Sequence, residues 1–291
     1  MLIGASERIM SLQDILLHID TYPEPTSDAA IDAAVDVAAL LGAQITALAL
    51  RLTIPVKSNM IAEHLIGLTD LAREEEARSL AAATHGLDRF KARAESRGVF
   101  RGVLLETTQF ANFAQHVAQR ARARDLCIVP VGGALDGQNE VAETLIFHSG
   151  RPVLLMRREA KVNAKLAGGV AVLAWDGSVP AARAMADALP ILRGMRQVRV
   201  LTIVNEKASA TAGLAQDAAR HLQAHGVETV IDEVDAKGEF ISRVLDSYLA
   251  RTEADLMVMG AYGRSRLREV ILGGATEHML RRAQLPVLMS H

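Results

Sequence analysis

Asp255-Leu-Met-Val-Met-Gly-Ala-Tyr-Gly263 is an apolar run opened by an aspartate and closed by a glycine-bracketed turn. The chain carries a second version of it about 130 residues earlier, Asp125-Leu-Cys-Ile-Val-Pro-Val-Gly-Gly133. Each is followed by a helical pattern and then by a short strand opened by proline, Arg151-Pro-Val-Leu-Leu-Met156 and Leu285-Pro-Val-Leu-Met-Ser290. The beginnings of the two segments correspond as well: Ile15-Leu-Leu-His-Ile-Asp20 parallels Ala171-Val-Leu-Ala-Trp-Asp176. A period this long marks a duplicated domain and not a solenoid. Uninterrupted apolar runs suit strands covered on both faces. Their alternation with longer helical patterns implies parallel pairing through right-handed crossovers.

The pattern predicts strands near 14–20, 44–52, 99–105, 125–131 and 152–156 in the first copy, and near 169–175, 197–204, 228–234, 255–260 and 286–290 in the second. Helices are predicted near 27–42, 60–97, 108–123 and 140–150, then near 178–193, 210–225, 238–251 and 274–284. The domains divide as 1–160 and 161–291, with the basic, aperiodic stretch Arg157–Gly169 as linker.

Composition excludes several classes. The 291 residues suit two domains. Half are hydrophobic but only 3% aromatic, so the core must be aliphatic. A net charge of −2 argues against a dedicated nucleic-acid binder. No apolar run reaches the roughly 18 residues of a membrane helix, so no membrane insertion is expected. The first ten residues lack the apolar segment of a signal peptide, and Met10 is an alternative first residue. The single cysteine, Cys127, lies inside an apolar run, reads as a buried small hydrophobe, and suits a reducing cytoplasm.

The stretch that could carry chemistry is Gly260-Ala-Tyr-Gly263-Arg-Ser-Arg-Leu-Arg-Glu-Val-Ile-Leu-Gly273-Gly274-Ala-Thr276. It leaves a buried strand and re-enters a helix. Gly260 and Gly263 bracket a turn where a missing Cβ permits positive φ and close backbone approach. Gly273 and Gly274 precede a helix start, whose free N–H groups and dipole favour phosphate; Thr276 adds a hydroxyl, and Arg264, Arg266 and Arg268 raise the local potential. Three glycines at such offsets recur by chance in about one chain in ten. Placement at the carboxyl edge of a parallel sheet is what gives the spacing weight.

This segment resembles the nucleotide loop of the universal stress protein family, G-x2-G-x9-G-[ST], and the whole chain resembles its tandem members. The resemblance implies two three-layer α/β/α sandwiches of the adenine nucleotide α-hydrolase type, each with a five-stranded, mainly parallel sheet in the order 3-2-1-4-5. It also implies ATP, with or without Mg2+, in the C-terminal domain. Asp176, with Trp175 before it, would lie by the ribose and adenine. The Val204 backbone would meet the adenine, and Met259 and Gly260 would lie beneath the ligand. Gly263, Arg264, Gly273, Gly274, Ala275 and Thr276 would face the phosphates. The family's usual serine after the third glycine is Gly274 here, which removes a hydroxyl and keeps an N–H. The first copy departs further: Asp20 is present, but Pro130 replaces the strand-end glycine, and Asn139-Glu140 stand where the second copy has its paired glycines. It is expected not to bind a nucleotide triphosphate. The last strands of two such domains pair antiparallel in this family, so the chain is expected to form an internal pseudo-dimer, with a homodimer as a further step.

No phosphate-loop lysine motif, dinucleotide fingerprint or nucleophile elbow occurs, and no catalytic residue or metal site is assigned. His221 and His225, four apart, read as surface imidazoles, and His18 as a satisfied core or cleft histidine. Asp28, Asp32 and Asp36 read as a solvated helix face, Glu74–Glu76 as a charged turn of helix. The long helix over 60–97 packs on the core or covers the defective first cleft. Three functions remain open: an ATP-binding stress or regulatory protein, a slow ATPase, or a non-binding interaction module.

Overall fold

The computed structural model describes residues 12–55, 67–132, 137–158, 166–205, 213–261, 263–266, 269–272 and 274–291. In chain order the first half contains β1 (Asp14–Ile19), α1 (Asp28–Leu41), β2 (Gln44–Thr53), α2 (Leu68–Ser96), β3 (Phe100–Gln109), α3 (Phe113–Ala121), β4 (Leu126–Val131), α4 (Gly137–His148) and β5 (Val153–Arg157). The second contains β6 (Val170–Ala174), α5 (Val179–Leu192), β7 (Gln197–Val204), α6 (Gln216–Ala224), β8 (Thr229–Asp235), α7 (Ile241–Thr252), β9 (Leu256–Gly260), a β10–β11 hairpin (Gly263–Arg266, Glu269–Leu272), α8 (Gly274–Arg282) and β12 (Val287–Ser290). The predicted start of the long helix, residues 60–66, falls outside the described residues.

Ten strands form one sheet in the order β3-β2-β1-β4-β5-β12-β9-β6-β7-β8. Each half therefore has the expected order 3-2-1-4-5. Pairing is parallel throughout except at the seam, where β5 meets β12 antiparallel, with Val287 opposite Leu155 and Met289 opposite Val153. Strand alternation feeds two cores. Ile15, Leu17, Leu256, Val258 and Leu288 face α1, α2, α5 and α6. Leu16, Met257, Met259, Val287 and Met289 face α3, α4, α7 and α8. With few aromatics, the interior is filled by aliphatic side chains, and Cys127 is fully buried among them. No helix among the described residues is long and apolar enough to cross a membrane.

The duplicated aspartates have a structural reason. Asp125 Oδ2 accepts the N–H groups of Gln13 and Asp14 at 2.8 and 2.9 Å, and Asp255 Oδ2 accepts Val170 N–H at 2.9 Å. Their own N–H groups donate back, to Asp14 and Val170 carbonyls, each at 2.8 Å. In both halves an aspartate opening the fourth strand thus clasps the start of the first. The acidic face of α1 is likewise paired. Asp28 meets His85 at 3.0 Å, Asp32 bonds Arg89, and Asp36 meets Arg93 and Arg97 at 2.8 and 3.0 Å, from α2 and its C-cap. The four-residue spacing of the acids matches that of the bases, so the partly exposed face is a ladder between two helices.

Candidate functional site

β7, β6 and β9 are neighbours, so Val204, Asp176 and Gly260 lie at the carboxyl ends of three adjacent strands. Just past β6, Trp175 N–H donates to Leu201 O at 2.8 Å, and Thr202 Oγ1 donates to Trp175 O at 3.1 Å. The Trp175 indole N–H donates to Leu214 O at 3.1 Å, tying this strand end to the segment entering α6. The chain then turns sharply. Asp176 Oδ1 accepts Ser178 N–H at 3.1 Å, an Asx turn, and Gly177 adopts φ +71° against the Leu214 side chain. Ser178 caps α5 by accepting Ala181 N–H at 3.3 Å. A partly exposed carboxylate therefore stands next to a helix N-terminus.

Gly260 is required at the end of β9, but for closeness and not for a left-handed backbone. A Cβ there would lie 2.4 Å from Ala181 N and 2.5 Å from Pro180 C. The first turn of α5 rests directly on the strand end. Met259, one residue earlier, is buried on the opposite face. At β7, Val204 O already accepts Ala236 N–H at 3.1 Å. A carbonyl keeps a second lone pair for a ligand. Asn205 follows in the left-handed region, at φ 61°. The Lys237 N–H and then the Asn205 side chain hold the Asp235 carboxyl below its ordinary value.

The stretch read as an open glycine loop is instead a hairpin. Gly263 pairs with Leu272, Arg264 with Ile271, Ser265 with Val270 and Arg266 with Glu269. A two-stranded ladder engages alternate N–H groups and leaves the intervening ones facing outward. Gly273 lies outside the described residues, as does the placement of the Arg264 side chain. α8 then starts at exposed Gly274, with Ala275 partly buried and Thr276 buried. A Cβ on Gly274 would meet nothing within 4 Å. His221 and His225 stack edge to face, 4.8 Å apart, with Arg193 at 3.1 Å from His225 Nδ1. No cluster of three metal-ligating side chains occurs among the described residues.

The corresponding edge of the first half is built shut. α2 reaches over the end of β2: Ser79 Oγ accepts Leu52 N–H at 3.0 Å, and Glu76 Oε1 accepts Ile54 N–H at 2.8 Å. Thr21 Oγ1 donates to Leu50 O at 2.6 Å and meets Ser79 at 3.0 Å. Tyr22, Phe110 and Phe113 stack edge to face or tilted, with centroids 5.8 Å apart in each pair. Together with Asp20 and Glu140 they leave a cavity of about 10 Å³, at the lower limit for one water. Pro130 sits within β4, where it supplies no N–H. Glu76 had read as part of a surface turn. The available signal was the spacing between Asp and capping Ser, one residue in Asp176–Ser178 but six in Asp20–Ser27.

These features define a tandem α/β protein of the adenine nucleotide α-hydrolase-like fold, with the strand-end edge of the first half filled. Residues 170–291 match the model of the universal stress protein family. That match covers the C-terminal part of the chain, which is similar to the family. The full-length architecture is shared with solved structures. A universal stress protein from Archaeoglobus fulgidus is 15% identical with a TM-score of 0.64, over 94% of this chain and 97% of that one. A protein of unknown function from Pseudomonas aeruginosa PAO1 is 16% identical with a TM-score of 0.53, over 97% and 93%. At these identities the likeness is one of fold. No curated protein matches the chain in sequence.

Proposed function

We propose that the C-terminal domain, 161–291, binds an adenine nucleotide, with ATP the ligand, and that the N-terminal domain, 1–160, does not. The protein acts on this reading as a cytoplasmic stress or regulatory protein whose nucleotide occupancy biases its conformation or its partners. The observation that carries it is the convergence of Asp176, Val204 and Gly260 at three neighbouring strand ends, within a domain that matches the family model. Trp175 and Asp176 would face the ribose and base, and Val204 the adenine edge. Met259 and Gly260 would underlie the ligand. Gly263, Arg264, Gly273, Gly274, Ala275 and Thr276 would surround the phosphates, at the N-terminal end of α8 where N–H donors and the helix dipole favour an anion. The filled first cleft supports a single site per chain.

Calorimetry on the full chain should find one equivalent of ATP. ATP at a hundredfold excess over its Kd should stabilise the protein by about 2.7 kcal/mol. Asp176→Ala and Gly263→Val should abolish that stabilisation. Two equivalents would overturn the assignment of the N-terminal half. No stabilisation by ATP, ADP or AMP would overturn the site itself.

A further inference from the structure

We propose that the cleft of the N-terminal half is a guanidinium-binding cage whose ligand is the chain's own Arg158. Arg158 follows β5 directly and is 6% exposed. Its backbone is fixed on two sides, its N–H donating to Val131 O at 3.1 Å and its carbonyl accepting Ser27 Oγ at 2.5 Å. The side chain then turns into the cleft. Nη2 pairs with Asp20 Oδ2, and Nη1 donates to Glu24 O at 2.7 Å and Pro25 O at 3.2 Å. Asp20 is held for this partner from behind: His18 Nε2 meets its Oδ1 at 2.9 Å, and its N–H donates to Thr26 Oγ1 at 2.8 Å.

The carbonyl walls of the cage and the threonine behind Asp20 are things the second half lacks. Glu24, Pro25 and Thr26 all belong to the residues inserted between Asp20 and Ser27, where the second half has only Gly177. Asp20 is 5% exposed, whereas its counterpart Asp176 is partly open to solvent. A carboxylate buried this deeply needs a permanent counter-charge, and a planar fork with several donors suits one carboxylate and two carbonyls. Nε is the one nitrogen of the fork buried without a partner. Every hydrogen bond of the fork is made by Nη1 and Nη2, so a small guanidinium can keep all of them when it enters in place of the side chain. The same strand-end aspartate thus serves an internal cation in one half and is only partly buried in the other.

The test uses the full chain and makes no use of nucleotide binding, so failure here and failure of the ATP site are separable. Arg158→Gly should lower the thermal midpoint by roughly 6–15 °C, the loss expected for an orphaned buried carboxylate. Methylguanidinium at tens of millimolar should restore part of that loss saturably, and methylammonium at the same concentration should not. Adding Asp20→Asn should abolish the rescue. A midpoint for Arg158→Gly within a degree of wild type, or equal recovery with methylammonium, overturns the proposal. Should Arg158→Gly not fold, Arg158→Lys keeps the charge without the fork. A midpoint several degrees below wild type supports the cage, and an unchanged midpoint overturns it.

Discussion

Placing a methyl group on Gly260 tests the contact that positions the C-terminal site. Its Cβ would sit 2.4 Å from Ala181 N, 2.5 Å from Pro180 C and 2.8 Å from Pro180 Cβ. Non-bonded carbon atoms prefer about 3.5–4.0 Å, so the first turn of α5 must retreat by roughly 1 Å. Backbone atoms cannot rotate aside, and α5 is anchored by Ala184, Met185, Ala188, Leu189 and Leu192 in the core. Overpacking of this kind costs about 1–3 kcal/mol. Replacing glycine stiffens the unfolded chain and returns about 0.4–1 kcal/mol. Gly260→Ala should therefore lose about 1–2 kcal/mol, or roughly 2–8 °C in midpoint. The matched control is Gly102→Ala in β3, whose added Cβ would meet nothing within 4 Å. It should be unchanged or slightly more stable. Urea unfolding of wild type and both variants, compared at equal slope, separates the cases. A Gly260→Ala protein as stable as the Gly102→Ala protein would refute the close approach of helix and strand.

Gly274→Ser should fold as well as wild type, because that position is open, and by adding a hydroxyl it should tighten ATP binding in calorimetry; a weaker or unchanged affinity would remove the start of α8 from the phosphate site. Burial pushes the Cys127 thiol up to about 12, against a smaller opposing influence of Arg124, so a disulfide thiol reagent should react only at the rate of unfolding, and immediate native-state labelling would contradict the buried strand. At Glu106 burial, the largest influence, favours the neutral acid, but hydrogen bonds from His116 and Arg120 together outweigh it and leave the carboxyl below its ordinary value. Its stabilising contribution is therefore complete above the unfolded value, about 4.3, and disappears as pH falls through the lower folded value. The urea midpoint gap between wild type and Glu106→Gln should close on acidification, and a gap that stays constant would speak against the pairing.

The central strands were legible because they are nearly continuous apolar runs, and residues such as Leu256–Met259 have no alternative inside a sheet covered on both faces. The seam was expected only from the family resemblance, in which the last strands of two domains pair antiparallel; the sequence pattern by itself marked no more than an edge that needs a partner. What stayed hidden were long-range polar partners. Asp125 and Asp255 repeat visibly, yet nothing in a sequence says that their carboxylates reach back to the first strand. The pairing of Gly263–Arg266 with Glu269–Leu272 escaped because the sequence between them, Leu267-Arg268, has no glycine, proline or asparagine to signal a hairpin. Arg158 looked like ordinary linker, as its partners lie more than 130 residues away. Glu76 and Ser79 lie in a charged stretch of sequence, and only the structure shows them binding amides at and just past the end of β2.

The antiparallel meeting of β5 and β12 has a consequence for how the chain can be divided. Each of these strands is buried almost throughout, and each borrows one rail of its hydrogen bonds from the other half. A proteolytic nick in the linker would leave the two pieces associated. Expressing either piece by itself would strand a bare apolar rail, and that fragment should recruit a second copy of itself through it. Covalent fusion replaces that concentration-dependent encounter with a tethered one, so dilution alone should not part the halves.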